Sequence, residues 1–284
     1  SSIDVSNNLD LLSLSLEQNQ LSSIDLINNN LIANLHIGGN SISTIDVSNL
    51  SNLYSFRIWD NQLSSIDVTN SPLLHTLNCN GNQQISNIDL SNNIDLEELY
   101  LNSNQISNID LSNNTKLERV FLADNQLSSL VMNNHMFLED LVCDDNTLNN
   151  VDVTNNCLNL ENLGLRRNQL TQIDVTNNPD LIYIHLDSNQ IASIDISNNT
   201  LIENFSITFN PITNIDVSNQ SVLESFSIGN TQIGSIDLRN NPNLNFFWAN
   251  DCNLNELDIR NGNNSSMGFF NFRVQNNPSL TCIS

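Results

Sequence analysis

The sequence predicts a repeat solenoid, in which short parallel strands stack into a sheet and turns and extended segments, with little helix, return the chain after each strand. Three observations predict it. A large apolar residue opens a block at Leu11, Ile32, Leu53, Leu74, Leu96, Leu117, Leu138, Leu160, Leu181, Ile202, Leu223, Leu244 and Phe269, in steps of 21 or 22 residues until a last step of 25. Inside each block the apolar residues then alternate with period two, the spacing of a strand with one buried face. Between blocks lie only short polar runs such as "SNN", "TNNP" and "SNNT", which are turn chemistry and too short for a helix in every block. One such unit cannot bury its apolar side alone; stacked neighbours close a shared core, and stability becomes a sum of nearest-neighbour interfaces.

The full block reads L-x-x-L-x-L-x-x-N-x-L-x-x-I-D-V-S-N-N, shown cleanly by Leu181, Ile184, Leu186, Asn189, Ile191, Ile194, Asp195 and Ile196. The L-x-L segment is the strand. The asparagine column after it (Asn19, Asn40, Asn61, Asn82, Asn104, Asn125, Asn146, Asn168, Asn189 and Asn210) sits at a turn, where an inward amide satisfies backbone groups the turn leaves unpaired. Thr231 and Cys252 interrupt it. The aspartate between two aliphatics recurs at Asp4, Asp25, Asp46, Asp67, Asp89, Asp110, Asp152, Asp174, Asp195, Asp216, Asp237 and Asp258, with Val131 the one departure. Two readings of that column compete. Bound calcium wants six to eight oxygens, and one carboxylate per repeat is a thin cage. A scaffold role, each carboxylate accepting hydrogen bonds from the Ser/Asn turn that follows, fits the column's uniformity better.

This block resembles the leucine-rich repeat family over essentially the whole chain. The resemblance implies the α/β leucine-rich repeat superfold: a curved right-handed solenoid with its parallel β-sheet on the concave face. It implies one array over residues 1–284 with about 13 repeats, of which 1–10 is a partial first repeat and 269–284 a divergent last one. The acidic, Asn-rich "IDLSNN" version of the repeat and the ending "NNPSLTCIS" also resemble secreted or surface proteins of Bacteroidetes-type bacteria, which implies a secreted or cell-surface location.

Composition excludes several function classes. With 31 acidic and eight basic residues the chain carries a net charge of −23, which repels phosphate backbones and anionic lipid. Neither nucleic-acid binding nor membrane insertion is expected, because no apolar run reaches the length of a spanning helix. Five cysteines, an odd number, cannot all pair within the chain. Mostly free thiols are the preferred expectation, with a Cys252–Cys282 bridge as the alternative. The histidines at 36, 75, 135 and 185 are scattered, so no serine–histidine–acid set is expected, and no cofactor.

Function in a repeat array sits where repeats differ. The outward slots lie two, four, six and seven residues after each opening residue. Five of the seven arginines fall there, Arg57, Arg119, Arg166, Arg167 and Arg273, as do Trp59, Trp248, Tyr100, Tyr183, Phe121, Phe209, Phe246, His36 and His185. Aromatics and arginine anchor interfaces; β-propensity and cross-strand packing are the plainer explanation for large residues there. Of these, Arg57, Trp59, Tyr100, Arg119, Phe121, Arg166, Arg167, Tyr183, His185 and Trp248 are the candidate ligand-binding residues. A calcium site among Asp124, Asp144 and Asp145 is the alternative use of the acids near the centre. The expectation is a non-catalytic extracellular recognition or adhesion module that binds a partner protein through the concave face. Acidic or sulfated polysaccharide is the alternative ligand there, and a structural spacer the third reading.

Overall fold

The computed structural model describes residues 2–154, 156–263, 265, 268 and 270–284. Phe269, read above as the opening of the last repeat, lies outside the described residues. The chain groups into two compact units, residues 1–138 and 139–284. Among the described residues there is no helix.

In the first unit, six strands stack in parallel: Ser13–Ser15, Asn34–His36, Ser55–Arg57, Thr76–Asn78, Glu98–Tyr100 and Arg119–Phe121. In the second, seven do so: Asp140–Val142, Asn162–Gly164, Tyr183–His185, Asn204–Ser206, Ser225–Ser227, Phe246–Trp248 and Phe272–Arg273. Every strand is three residues or fewer. The register is one repeat per step, so equivalent slots lie side by side: Leu35 pairs with Phe56, and Ile184 with Phe205. Short extended segments on the return side pair likewise, Ser2–Ile3 with Ser23–Ile24 and Ser235–Asp237 with Glu256–Asp258.

The core follows the alternation. Leu181, Ile184, Leu186 and Ile191 are 0% exposed. In the second unit Phe205, Phe226 and Phe247 stack through the interior at centroid spacings of 5.7 and 5.9 Å, and Phe272 continues the row at 5.9 Å. The aliphatic just before the aspartate is less buried than the one after it, as with Ile194 against Ile196, except at Asp258, where Leu257 is buried and Ile259 half-buried.

Polar side chains close the turns, and here the structure extends the sequence reading. The first asparagine column is a staple between repeats. Asn61 Nδ2 donates to Ile37 O of the preceding repeat and to Ile58 O and Trp59 O of its own, while its Oδ1 accepts from Ile42 N at 2.9 Å. Where the column is interrupted, Thr231 Oγ1 and Cys252 Sγ both donate to Ile228 O, at 2.8 and 3.0 Å, in the amide's place. The residue before each column position has positive φ; among them are Gly39 and Gly81, but also Asp60, Arg167 and Phe209.

A second inward column was not read from the sequence. Asn29, Asn93, Asn114, Asn178, Asn199 and Asn241, with Gln220 and His135 in the same slot, are 0% exposed. Asn199 Nδ2, for example, donates to Val175 O at 2.9 Å and Asn178 O at 2.7 Å. These are the second asparagines of the "SNN" runs, so those runs are only partly solvent-facing turn.

The aspartate column caps the turns. All twelve carboxylates accept the backbone N–H two residues on, from Asp4 with Ser6 to Asp258 with Arg260. Thr69 adds its hydroxyl to Asp67 at 2.6 Å. Hydrogen bonds from the turn hold nine of the twelve below the usual carboxylate range, and at Asp258 the Arg260 guanidinium, the main cause there, takes it to about 2. The column works as scaffold.

Candidate binding face

The strand face of each unit carries the candidate residues, because residues flanking each inward strand residue point outward. On the first unit, Arg57 is exposed and Trp59, two residues further on, is half-buried. The indole lies directly against Gly38: a Cβ built there would meet Trp59 Cε2 at 2.3 Å. Its Nε1 donates to Glu17 Oε1 at 3.1 Å, two repeats back. Tyr100 and Phe121 are face-to-face neighbours at 5.1 Å with 9° between their planes, which is cross-strand packing of the kind expected from shared slots. Burial, and Glu98 nearby, push the Tyr100 phenol up. Arg119 donates to Glu98 Oε1 at 3.2 Å.

His36 Nε2 and Ser55 Oγ lie 3.1 Å apart, a serine–histidine pair that scattered histidines did not lead us to expect. It falls short of a nucleophilic triad. Ser55 is 7% exposed and its N–H is committed to Ala33 O, and Glu17, the acid nearest His36, accepts from Trp59. Burial first and Arg57 second lower the His36 pKa, so the ring is neutral at physiological pH.

On the second unit the structure brings Arg166, Arg167 and His185 together with Asp144, Asp145 and Asp187. Arg166 Nε donates to Asp187 Oδ2 at 3.1 Å, and Arg167 makes a two-point pair with Asp145. Asp187 also accepts from Ser206 Oγ, from Thr208 N at 3.0 Å and from Thr208 Oγ1 at 2.7 Å. Asp144 accepts Arg166 N at 2.7 Å. The amides at Asn80, Asn102 and Asn250 accept the equivalent N–H of the next repeat in the same way. Asp144 and Asp187 therefore belong to a third cross-repeat column, on the strand face. Burial raises the Asp144 pKa, while the guanidinium of Arg167 holds Asp145 low. Asp124 sits in a positive-φ turn position. Among the described residues, no three His, Cys, Asp or Glu side chains are grouped so as to hold a metal ion.

Tyr183 is 40% exposed. His185 is half-buried, and burial and Arg166 lower its pKa. Trp248 packs against Gly229, whose built Cβ would meet the indole Nε1 at 3.2 Å, and that Nε1 has no hydrogen-bond partner within the protein. The cysteines are free thiols; Cys79, Cys143, Cys157 and Cys252 are buried and Cys282 is exposed, so the Cys252–Cys282 bridge is not formed.

No protein-family model and no curated sequence matches the chain. Solved structures do. The functional domain of InlJ from Listeria monocytogenes, described as including a cysteine ladder, superposes at a TM-score of 0.90 with 27% identity over 93% of this chain. The fold is the leucine-rich repeat. The chain spans 59% of the length of that InlJ structure. The leucine-rich repeat protein LIC12759 of Leptospira interrogans matches 95% of this chain, and 73% of its own, at a TM-score of 0.83 with 19% identity. An internalin, InlF, from Listeria monocytogenes matches 98% of this chain and 87% of its own at 0.74 with 21% identity. The solenoid of about 21-residue repeats in this chain is what the spacing predicted. A cysteine ladder is not part of the likeness, since Cys79 and Cys143 share a repeat slot but lie three repeats apart in sequence.

Proposed function

We propose that this leucine-rich repeat chain is a non-catalytic recognition or adhesion module of a secreted or cell-surface protein, and that it binds a partner protein through its strand face. One observation carries the reading: five of seven arginines and both tryptophans lie in strand-face slots, while the return side repeats the same Asp, Ser and Asn. Recognition needs residues that differ from repeat to repeat, and only one face supplies them. The internalin neighbours favour display outside a cell. The residues favour binding over catalysis, because the His36–Ser55 pair has a buried serine and no hydrogen-bonded acid among the described residues.

The test immobilises the chain, screens extracellular proteins by surface plasmon resonance, and repeats each positive with two variants. The strand-face variant Phe121→Ala/Tyr183→Ala should weaken binding by about tenfold or more, the usual effect of truncating interface aromatics. The return-side variant Asn113→Ala/Asn198→Ala should leave it unchanged. The opposite pattern would place recognition on the return side and overturn the proposal.

A further inference from the structure

We infer that the strand face of each unit carries a subsite for an acidic sugar residue, a uronic acid within a glycan, which stacks on a tryptophan and pairs its carboxylate with the neighbouring arginine: Trp59 with Arg57, and Trp248 with Arg273. The inference deepens the recognition reading above and rests on it, since it names what part of a glycosylated partner or polysaccharide the face would grip.

The first argument is where the cations without a carboxylate partner are. Of the eight basic residues, Lys116 pairs with Asp95, Arg119 with Glu98, Arg166 with Asp187, Arg167 with Asp145, Arg239 with Asp237 and Arg260 with Asp258. Arg57 and Arg273 have no carboxylate within ion-pair distance among the described residues, although acids outnumber bases 31 to 8; Arg273 does spend its Nε on Phe270 O, at 3.2 Å. Both adjoin a tryptophan. Arg57 and Trp59 alternate with buried Phe56 and Ile58, so they share a face about 6.6 Å apart at Cα. Arg273 is the cross-strand register partner of Trp248.

The second argument is how the tryptophans are seated. Neither Gly38 nor Gly229 has positive φ, so the backbone does not call for glycine at either place. At Gly38 the absent side chain is where the Trp59 indole lies, and at Gly229 a Cβ would crowd the Trp248 indole, at 3.2 Å. An indole held against a glycine and, at Trp59, tethered by Glu17 has a fixed position on the strand face. Sugar C–H bonds, polarised by the ring oxygens, meet the negative face of such an indole favourably. A uronate carboxylate offers a guanidinium two parallel acceptors.

The third argument is the surroundings. Beside the first indole, Asn78 and Asn80 accept backbone N–H groups with Oδ1, and their Nδ2 groups have no protein acceptor among the described residues, which leaves them as donors for hydroxyl oxygens. Gly81 is covered by the Asp60 carboxylate, and Gly39 lies against Gln18. A protein partner's apolar anchor needs a desolvated pocket; a flat ring with amides and one guanidinium around it suits a sugar.

The experiment is calorimetric titration of the full chain, with thermal melts confirming that each variant folds. The probes are an oligogalacturonate, the same oligomer as its methyl ester, and an acidic tryptophan-containing peptide. The expected result is two oligogalacturonate sites per chain, with the methyl ester at least about tenfold weaker, as loss of a charge-assisted pair implies. Arg57→Gln and Arg273→Gln should each abolish one site, as should Gly38→Ala at the first, which keeps tryptophan and arginine but displaces the ring. Absence of oligogalacturonate binding, equal binding of the ester, preference for the peptide, or binding indifferent to both arginine variants would each overturn the inference. A glycoprotein partner, before and after enzymatic removal of its glycans, separates the sources: loss on removal points to that partner's glycan, whereas capture of free polysaccharide alone points to a matrix ligand. Persistent capture of the deglycosylated partner, still lost in Phe121→Ala/Tyr183→Ala, sinks the sugar subsite while the recognition reading stands.

Discussion

Two buried asparagines ten residues apart should respond very differently to the same substitution. Asn189 belongs to the column after the strand, Asn199 to the column in the return turn. Asn189 Oδ1 is the acceptor for Leu170 N at 3.0 Å, and its Nδ2 donates to Leu165 O and Leu186 O at 2.8 and 3.0 Å. Those two carbonyls also accept from Asn168 and Asn210, so they keep a partner without Asn189. In Asn189→Leu the Leu170 N–H loses its acceptor, which costs about 1–3 kcal/mol, and two carbonyls each lose a second bond at roughly 0.5 kcal/mol. Asn199 Nδ2 donates to Val175 O and Asn178 O, which keep bonds from Asn178 N and Leu181 N. Its Oδ1 is buried without a partner in the protein, so Asn199→Leu removes an unsatisfied atom and leaves no N–H without one. Apolar burial offsets both variants alike. The expected gap is about 2 kcal/mol, with Asn189→Leu the more destabilised. Urea titration followed by circular dichroism reads the midpoints, and hydrogen exchange should show the Leu170 amide losing protection only in Asn189→Leu. Equal losses, or a larger loss in Asn199→Leu, would refute this division of labour between the columns.

Phe209 sits at φ 55° with 53% of its surface exposed; left-handed backbone costs a non-glycine residue about 1–2 kcal/mol, so Phe209→Asn should stabilise by on the order of 0.5–1 kcal/mol, read as a raised urea midpoint. Folding lowers the pKa of nine capping aspartates, so their contribution is present above the unfolded value near 3.8 and is lost as pH falls toward 2. The raised Asp144 opposes them singly. Melting temperature should therefore fall between pH 4 and about 2, and Asp67→Asn, whose amide oxygen still caps Thr69, should blunt that fall. Phe226→Ala opens the middle of the buried phenylalanine row and should cost about 3–5 kcal/mol, checked by the same titration. Melting in calcium and in chelator should coincide, because each column carboxylate is already capping a turn; a rise of several degrees with calcium would reinstate the metal reading.

The period made most of this fold legible. Thirteen in-phase openings fixed the strand positions, and the alternation around them fixed which side chains are buried. The second column stayed hidden because "SNN" reads as turn chemistry whichever asparagine turns inward. Its signal was available in the exceptions: Leu50, Ser71, His135 and Cys157 occupy the same slot, and no solvent-facing turn would take that mixture. The Ser55–His36 pair was missed because slots two and four of adjacent repeats meet diagonally, while the sequence was compared within single slots. Nor did the sequence show that slot seven is left-handed. Asp145, Arg167 and Phe209 stand there beside the few glycines and asparagines such backbone prefers.

Subtracting the scaffold changes which candidate residues are left for recognition. Arg166 and Arg167 looked like ligand anchors because they are adjacent cations near the centre of the sequence. Yet Asp187, which holds Arg166, also accepts the Thr208 backbone N–H, and Asp145 holds Arg167 at two points. A ligand carboxylate at either site would have to compete with an acid already in place, and the desolvation cost leaves little net gain from exchanging one carboxylate for another. Tyr100 and Phe121 spend a ring face on each other, and Arg119 is engaged with Glu98. What remains is Arg57 and Arg273, without a carboxylate partner among the described residues, the indoles of Trp59 and Trp248, and the exposed Tyr183 and Phe209. In a chain this acidic, two cations without a carboxylate partner among the described residues, each beside a tryptophan, are the residues the proposed subsites use, and they leave the ion pairs and cross-repeat hydrogen bonds of the other columns intact.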